Sequence, residues 1–372
     1  MEVAEVSCKI CGKNQEPERD FYISKELSVC VDCIRKKFDK ALPFIEEAHR
    51  KVRDEFRLPV KPPKTKGGIK CTYCVNECIL GEGERGFCGI RKNEKGRFVD
   101  YGGAALNYNY DNLPTNCVAD WVCPGGTGCG YPRYAYSKGA EYGYKNLSVF
   151  YGACSFNCLF CQNWHFRDHV IHPHIVTADE LANAVDERTS CICYFGGDPT
   201  PQMDHAIKAS RLALKKAEGR ILRICWETNG SMNPNVLKTI AQLSLDTGGC
   251  VKFDLKAWSE EVNIALCGVT NKRTLENFKI LAEMGKGRKT PLLAVASTLL
   301  VPGYVDKSDV SQIAKFIASL DPEIPYSLLA FYPQFYMYDL PTTSWTQAKE
   351  CQQAALEAGV KNVRIGNVHL LR

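Results

Sequence analysis

The sequence predicts an α/β protein: a partial (β/α)6 barrel over residues 147–372, preceded by small Cys-rich N-terminal metal-binding domains. Three observations predict it. From residue 147, six short runs rich in Val, Ile, Phe and Tyr alternate with helix-like stretches, the pattern of a parallel sheet with right-handed crossovers. Twenty cysteines stand in a chain of 372 residues. Eight of them form two four-cysteine sets ahead of the barrel.

At this length, 45% apolar residues fill one large domain and one or two smaller ones. The net charge of +5 favours neither nucleic acid nor membrane. The N-terminus "MEVAEVSCKICG" has no basic n-region and no apolar h-region, and no apolar run reaches membrane-spanning length, so the expected compartment is the cytoplasm. Under reducing conditions, paired cysteines read as metal or cluster ligands rather than disulfides.

Residues 1–57 open with Cys8, Cys11, Cys30 and Cys33, two C-x2-C knuckles offering four thiolates to a tetrahedral zinc or a single rubredoxin-like iron. Phe38, Leu42, Ile45, Val52 and Phe56 recur at helical spacing, which predicts an amphipathic helix over 34–57. "LPVKPPKTKGGIK", residues 58–70, is a Pro/Lys-rich linker. Residues 35–70 carry twelve Lys or Arg against five Asp or Glu. Without interleaved aromatics that charge reads as a solvated helix face and linker, not an RNA site.

In the Cys-rich domain 71–146, Cys71, Cys74, Cys78 and Cys88 offer four thiolates for a second site, another zinc or an iron-sulfur cluster, although the uneven gaps also suit a structural loop. Cys117, Cys123 and Cys129 lie in a Gly- and Pro-rich insert, where they either join a neighbouring site or pack. The barrel strands are "LSVFYGA", "CICYFGG", "ILRICWE", "CVKFDLKA", "LLAVASTLLVP" and "YSLLAFYP", with helices expected over 274–284 and 308–320. On such a scaffold the chemistry sits at the C-terminal strand ends.

Those ends read "YGAC", "FGGDPTPQ", "WETNG", "FDLKA" and "VPGY". After the first comes Cys154, Cys158 and Cys161, a C-x3-C-x2-C loop in which three thiolates on a cubane leave one iron open. With Phe160 just before its third cysteine, this loop resembles that of the radical S-adenosylmethionine (SAM) superfamily. The resemblance implies that the open iron of a [4Fe-4S] cluster takes the amino and carboxylate groups of SAM. It assigns Gly196, Gly197, Asp198 and Pro199 to the methionine amine. "ETNG" (Glu227, Thr228, Asn229) and "DLK" (Asp254, Lys256) look like the nucleoside-side and substrate-side motifs of pyruvate formate-lyase activating enzymes.

That likeness runs over 147–372, while "GFCGIR" at 86–91 and the C-terminal end are similar to AmmeMemoRadiSam-type relatives. The N-terminal knuckle, linker and barrel together resemble a methanogen radical methylase acting on a glutamine of methyl-coenzyme M reductase. This implies a 5'-deoxyadenosyl radical, C-methylation of a protein side chain with cobalamin as methyl carrier, the alpha subunit of that reductase as partner, and an electron donor. The chain has no D-x-H-x-x-G cobalamin motif. The alternatives are a glycyl-radical-enzyme activase and a non-catalytic electron-transfer or zinc-ribbon protein. His165, His169, His172 and His174 read as loop polarity.

Overall fold

In the computed structural model, which describes residues 6–372, the N-terminal module turns on its two knuckles. Cys30 caps helix α1 (Val31–Lys36), and α2 (Phe38–Glu55) follows after Lys37 leaves helical geometry at φ −139°. The single helix expected over 34–57 is therefore two. On α2, Ala41, Ile45, Ala48 and Val52 are fully buried at helical spacing, so the apolar stripe is core packing. Part of the basic charge of this region is paired: Arg50 with Glu47 and Asp54, Lys61 with Glu46, and Arg35 with Asp306 and Asp309.

The Cys-rich segment holds two short antiparallel ribbons, β1 (Ile69–Lys70) with β2 (Ile79–Leu80) and β3 (Asn93–Glu94) with β4 (Arg97–Phe98). A nine-stranded sheet then takes over. Its strands are β5 (Ala104–Asn112), β6 (Lys145–Tyr151), β7 (Ile175–Val176), β8 (Thr189–Gly196), β9 (Arg223–Thr228), β10 (Val251–Asp254), β11 (Ala294–Leu300), β12 (Tyr326–Ala330) and β13 (Val363–Gly366). In space they run β13-β12-β11-β10-β9-β8-β6-β5-β7.

Strands β6 and β8 to β13 are parallel to one another, while β5 runs antiparallel to β6 and β7 antiparallel to β5. All six expected strands are present. A seventh parallel strand, β13, joins them, and the sheet begins before residue 147 because β5 pairs with β6 over seven residues. Helices α3 (Pro124–Thr127) and α4 (Phe166–Ile171) lie in the loops. The crossovers are α5 (Ala178–Asn183), α6 (Met203–Lys216), α7 (Pro234–Thr247), α8 (Glu260–Cys267), α9 (Lys272–Gly285), α10 (Lys307–Leu320) and α11 (Trp345–Glu357).

Strand alternation divides the sheet into two faces. Ile192, Tyr194, Ile224, Trp226 and Phe253 are buried on one, against the helices. The other carries Cys193, Cys225, Glu227, Lys252 and Asp254, polar and sulfur groups facing the barrel interior. Helix starts are set by side-chain caps. Thr177 and Glu180 form a reciprocal capping box on α5, and Ser259, Asp306 and Ser344 cap α8, α10 and α11.

Candidate active site

The cysteine loop lies between β6 and α4 and is fastened from several sides. Backbone N–H groups of Asn157 and Leu159 donate to the carbonyls of Cys267 and Leu266 at the end of α8, both at 2.9 Å. Asn76, from the loop of the second cysteine set, donates to the Ser155 carbonyl at 2.7 Å. Gly197 and Asp198 donate to the carbonyls of Tyr151 and Ala153. A Cβ on Gly197 would run into the Ala153 and Tyr151 carbonyls, the latter at 2.8 Å, so this close approach requires glycine.

A cavity of about 300 Å³ opens at these strand ends. It is lined by Cys154, Cys158, Phe160 and Cys161; by Gly196, Gly197 and Asp198; by Glu227, Thr228 and Asn229; and by Asp254 and Lys256. Every residue assigned to the cluster and to SAM is thus brought to one place except Pro199. Pro199 is buried at the start of a 3-10 turn (Thr200–Gln202), where its ring supports the turn rather than facing the cavity. The four loop histidines are absent from the lining. His169 and His174 meet Asn107 and the Leu106 carbonyl instead.

Asp198 is the organising group. Its Oδ2 accepts from Thr228 Oγ1 at 2.9 Å and Asn229 N at 2.8 Å, and its Oδ1 accepts from Thr200 N at 2.9 Å. Burial pushes its carboxyl above the usual range despite these donors. Asn229 in turn donates to Ser155 Oγ at 2.9 Å, which locks the third strand end to the cysteine loop.

Across the cavity runs a line of alternating charges. Lys252 Nζ lies 3.2 Å from Glu227 Oε2 and 2.9 Å from Asp254 Oδ1, and Lys256 Nζ lies 2.8 Å from Asp254 Oδ2. Burial opposes ionisation of Asp254, but the two ammonium groups overcome it and hold the carboxyl well below its ordinary value. Lys252 was missed in the sequence because it sits mid-strand among apolar residues. Its signal was the inward register it shares with Asp254. Arg167, buried below the loop, also lines the cavity and was missed.

The sulfur environments differ. Burial raises the Cys154 and Cys161 thiols, while a hydrogen bond with Cys267 lowers Cys158. Lys256 Nζ stands 5.7 Å from the Phe160 ring centre. Three thiols converging on a cavity, with charged groups around it, fit a cluster held by three protein ligands together with a zwitterionic, cationic co-ligand.

In the N-terminal module, the sulfurs of Cys8, Cys11, Cys30 and Cys33 all lie within 4.8 Å of one another, and Cys11 Sγ is 3.8 Å from Cys30 Sγ. A tetrahedron with metal–sulfur bonds of about 2.3 Å has edges of about 3.8 Å, so this group can bind a single metal ion. Burial works against ionisation of Cys8, but N–H groups of Cys30, Cys11 and Ile10 draw its thiol down to about 6. Cys71, Cys74 and Cys78 are buried and Cys88 half-buried; burial raises the first three thiols, and among the described residues the four do not gather within 4.8 Å as the N-terminal set does.

Residues 148–317 match the radical SAM superfamily model. The chain carries a radical SAM domain. That domain implies a [4Fe-4S] cluster and SAM, the equipment of radical SAM chemistry. Over 310 residues it is 26% identical to an uncharacterized protein of Methanocaldococcus jannaschii, covering 81% of both chains. It is 33% identical over 139 residues to the isethionate sulfite-lyase activating enzyme of Desulfovibrio desulfuricans, 37% of this chain and 40% of that one. A domain of the pyruvate-formate lyase-activating enzyme from Bacteroides vulgatus superposes with a TM-score of 0.39 at 20% identity, covering 47% of this chain and 98% of that one. No helix among the described residues is long and apolar enough to cross a membrane.

Proposed function

We propose that this radical SAM enzyme removes a hydrogen atom from a protein side chain and methylates the carbon so exposed. The cluster would sit on Cys154, Cys158 and Cys161, and SAM across Gly196–Asp198, Glu227–Asn229 and Asp254–Lys256. The observation that carries the radical chemistry is the single cavity of about 300 Å³ where all these groups meet. When bound, cluster and SAM supply a 5'-deoxyadenosyl radical for hydrogen abstraction.

The chain's own residues hold the reactants. In this reading carbonyls at Gly196 and Gly197 would accept from the SAM ammonium group and Glu227 from its hydroxyl groups, while the Lys252–Asp254–Lys256 line fixes charge at the cavity wall. Methylation calls for a methyl carrier, and cobalamin is the carrier in this reading. The partners are then the methyl-coenzyme M reductase alpha subunit, through a glutamine, and an electron donor.

A second reading, activation of a glycyl-radical enzyme, is favoured by another relative, 30% identical over 184 residues, named a putative glycyl-radical enzyme activating enzyme of M. jannaschii. The test is SAM turnover by reduced, cluster-reconstituted protein with a glutamine-containing reductase peptide, with and without cobalamin. A methyl mass gain that requires cobalamin supports the first reading. A persistent backbone radical in a partner protein, indifferent to cobalamin, would replace it with the second. Failure of the Cys154→Ala/Cys158→Ala/Cys161→Ala variant to lose SAM cleavage would remove both.

A further inference from the structure

We infer that the barrel contains a further metal site, formed by Cys117, Cys193 and Glu227, that binds one thiophilic divalent ion of the zinc class. The ligand atoms of these three residues all lie within 4.8 Å of one another. They come from distant parts of the chain. Cys193 and Glu227 stand on the adjacent parallel strands β8 and β9, where the register Cys193↔Cys225 puts Glu227 two residues further along the same inward face. Cys117 is brought in by the insert between β5 and α3.

That insert is pinned at the N-terminal ends of β12 and β13, so the position of Cys117 is fixed rather than incidental. Trp121 Nε1 donates to Ser327 Oγ at 3.1 Å, Ser327 Oγ donates to the Val118 carbonyl at 3.2 Å, and Arg364 Nη1 pairs with Asp120 at 2.6 Å. Cys117 Sγ already points its proton at Glu227 Oε1, 3.3 Å away, and the Ala119 N–H donates to the same sulfur at 3.4 Å. The other carboxylate oxygen of Glu227 is held by Lys252 at 3.2 Å. A ligating carboxylate oriented by an outer partner is the usual construction of a metal site.

The donor set decides the ion. Two sulfurs and one carboxylate oxygen are unsuited to calcium or magnesium, which take oxygen ligands, and suit zinc, with bonds of about 2.3 Å to sulfur and about 2.1 Å to oxygen. Binding replaces the two thiol protons, which leave to solvent, and changes no oxidation state. Three protein ligands leave a fourth position. Of the three ligands Glu227 lines the cavity, as do Asn116 and Val118 on either side of Cys117, so the site borders that space. The N-terminal tetrathiolate, by contrast, is closed.

The test uses the full chain purified anaerobically from zinc-supplemented medium, with Cys8→Ser and Cys11→Ser removing the N-terminal tetrathiolate. Zinc analysis and zinc X-ray absorption are then read. We expect zinc to remain, with oxygen as well as sulfur in its first shell. Adding Cys117→Ser and Cys193→Ser should lower zinc by about one ion per chain while the iron of the reconstituted cluster stays constant, which also reports that the barrel has folded. Equal zinc in the two variants would overturn the assignment. So would a first shell of sulfur alone in the Cys8→Ser/Cys11→Ser protein, whose barrel residues are all intact.

Discussion

His49, on helix α2 of the N-terminal module, accepts a hydrogen bond through Nδ1 from Asn157 Nδ2 at 3.0 Å, inside the cysteine loop. Its Nε2–H is shared between the carbonyls of Ile264 and Ala265 at 3.0 and 3.1 Å. Asn157 Oδ1 accepts in turn from Arg167 at 3.1 Å. One neutral imidazole therefore joins the N-terminal module, helix α8 and the loop between Cys154 and Cys158. Its tautomer is set by the two carbonyls, which only a donor can satisfy.

Burial, ahead of the carbonyl contacts that oppose it, lowers the His49 imidazole from 6.5 to about 4. A group depressed in the folded state contributes stability fully above its unfolded value and loses it as pH falls. We therefore expect stability to decline from about pH 6.5 through about pH 4, by up to about 3 kcal/mol. Chemical denaturation at pH 7.5 and pH 5 measures it. In His49→Gln this part of the slope should vanish, and an unchanged slope would show that other groups set the acid limb.

Lys252 is the one ammonium between two carboxylates, Glu227 and Asp254. Replacing it with Met leaves buried negative charge short of a partner, at a cost of about 3–5 kcal/mol. Lys252→Met should lower the melting temperature and weaken SAM binding together. The double variant Lys252→Met/Asp254→Leu should recover part of the stability but not the binding. Calorimetry separates the two, and additive losses in the double variant would mean that the pair is not coupled.

Much of this was legible because the motifs fall at strand ends. Six apolar runs announced six parallel strands, and the polar residues closing them form the cavity wall. The seventh parallel strand, Val363–Gly366, escaped because four residues with only one buried side chain, Ile365, leave no periodic trace. The antiparallel strand Ala104–Asn112 escaped because its second half is exposed and polar, so "LNYNYDN" reads as loop. The trio Cys117, Cys193 and Glu227 was invisible for a different reason. Its members are up to 110 residues apart, and only the strand register and the pinned insert bring them together.

The N-terminal module rests on the barrel through Tyr304, whose hydroxyl accepts from Ser24 N at 2.9 Å and donates to the Val29 carbonyl at 3.2 Å. This contact is remote from the cavity, and the four thiolates close their own coordination sphere. Cys8→Ser/Cys11→Ser should therefore expose the knuckle, residues 6–33, to proteolysis, while α2, which His49 ties to the cysteine loop, stays docked and partner-free SAM cleavage stays within about twofold. A fall in cleavage as deep as that of Cys154→Ala would instead make the knuckle part of the electron path.

Gly197 offers the sharpest test of the cavity wall. The loop after β8 passes so close to the cysteine loop that its N–H reaches the Tyr151 carbonyl at 2.9 Å, and a methyl group there would collide with two backbone carbonyls rather than with a side chain able to turn away. Backbone on either side must then move, displacing Asp198 from Thr228 and Asn229 and, through Asn229, from Ser155 beside Cys154. Gly197→Ala should thus lower SAM affinity by at least about tenfold, the scale of one lost charge-assisted hydrogen bond. Gly139→Ala, where nothing stands within 4 Å of the new carbon, should leave affinity unchanged. Equal affinity in the two variants, read by isothermal titration, would mean that SAM does not contact this loop and that the cavity binds it elsewhere.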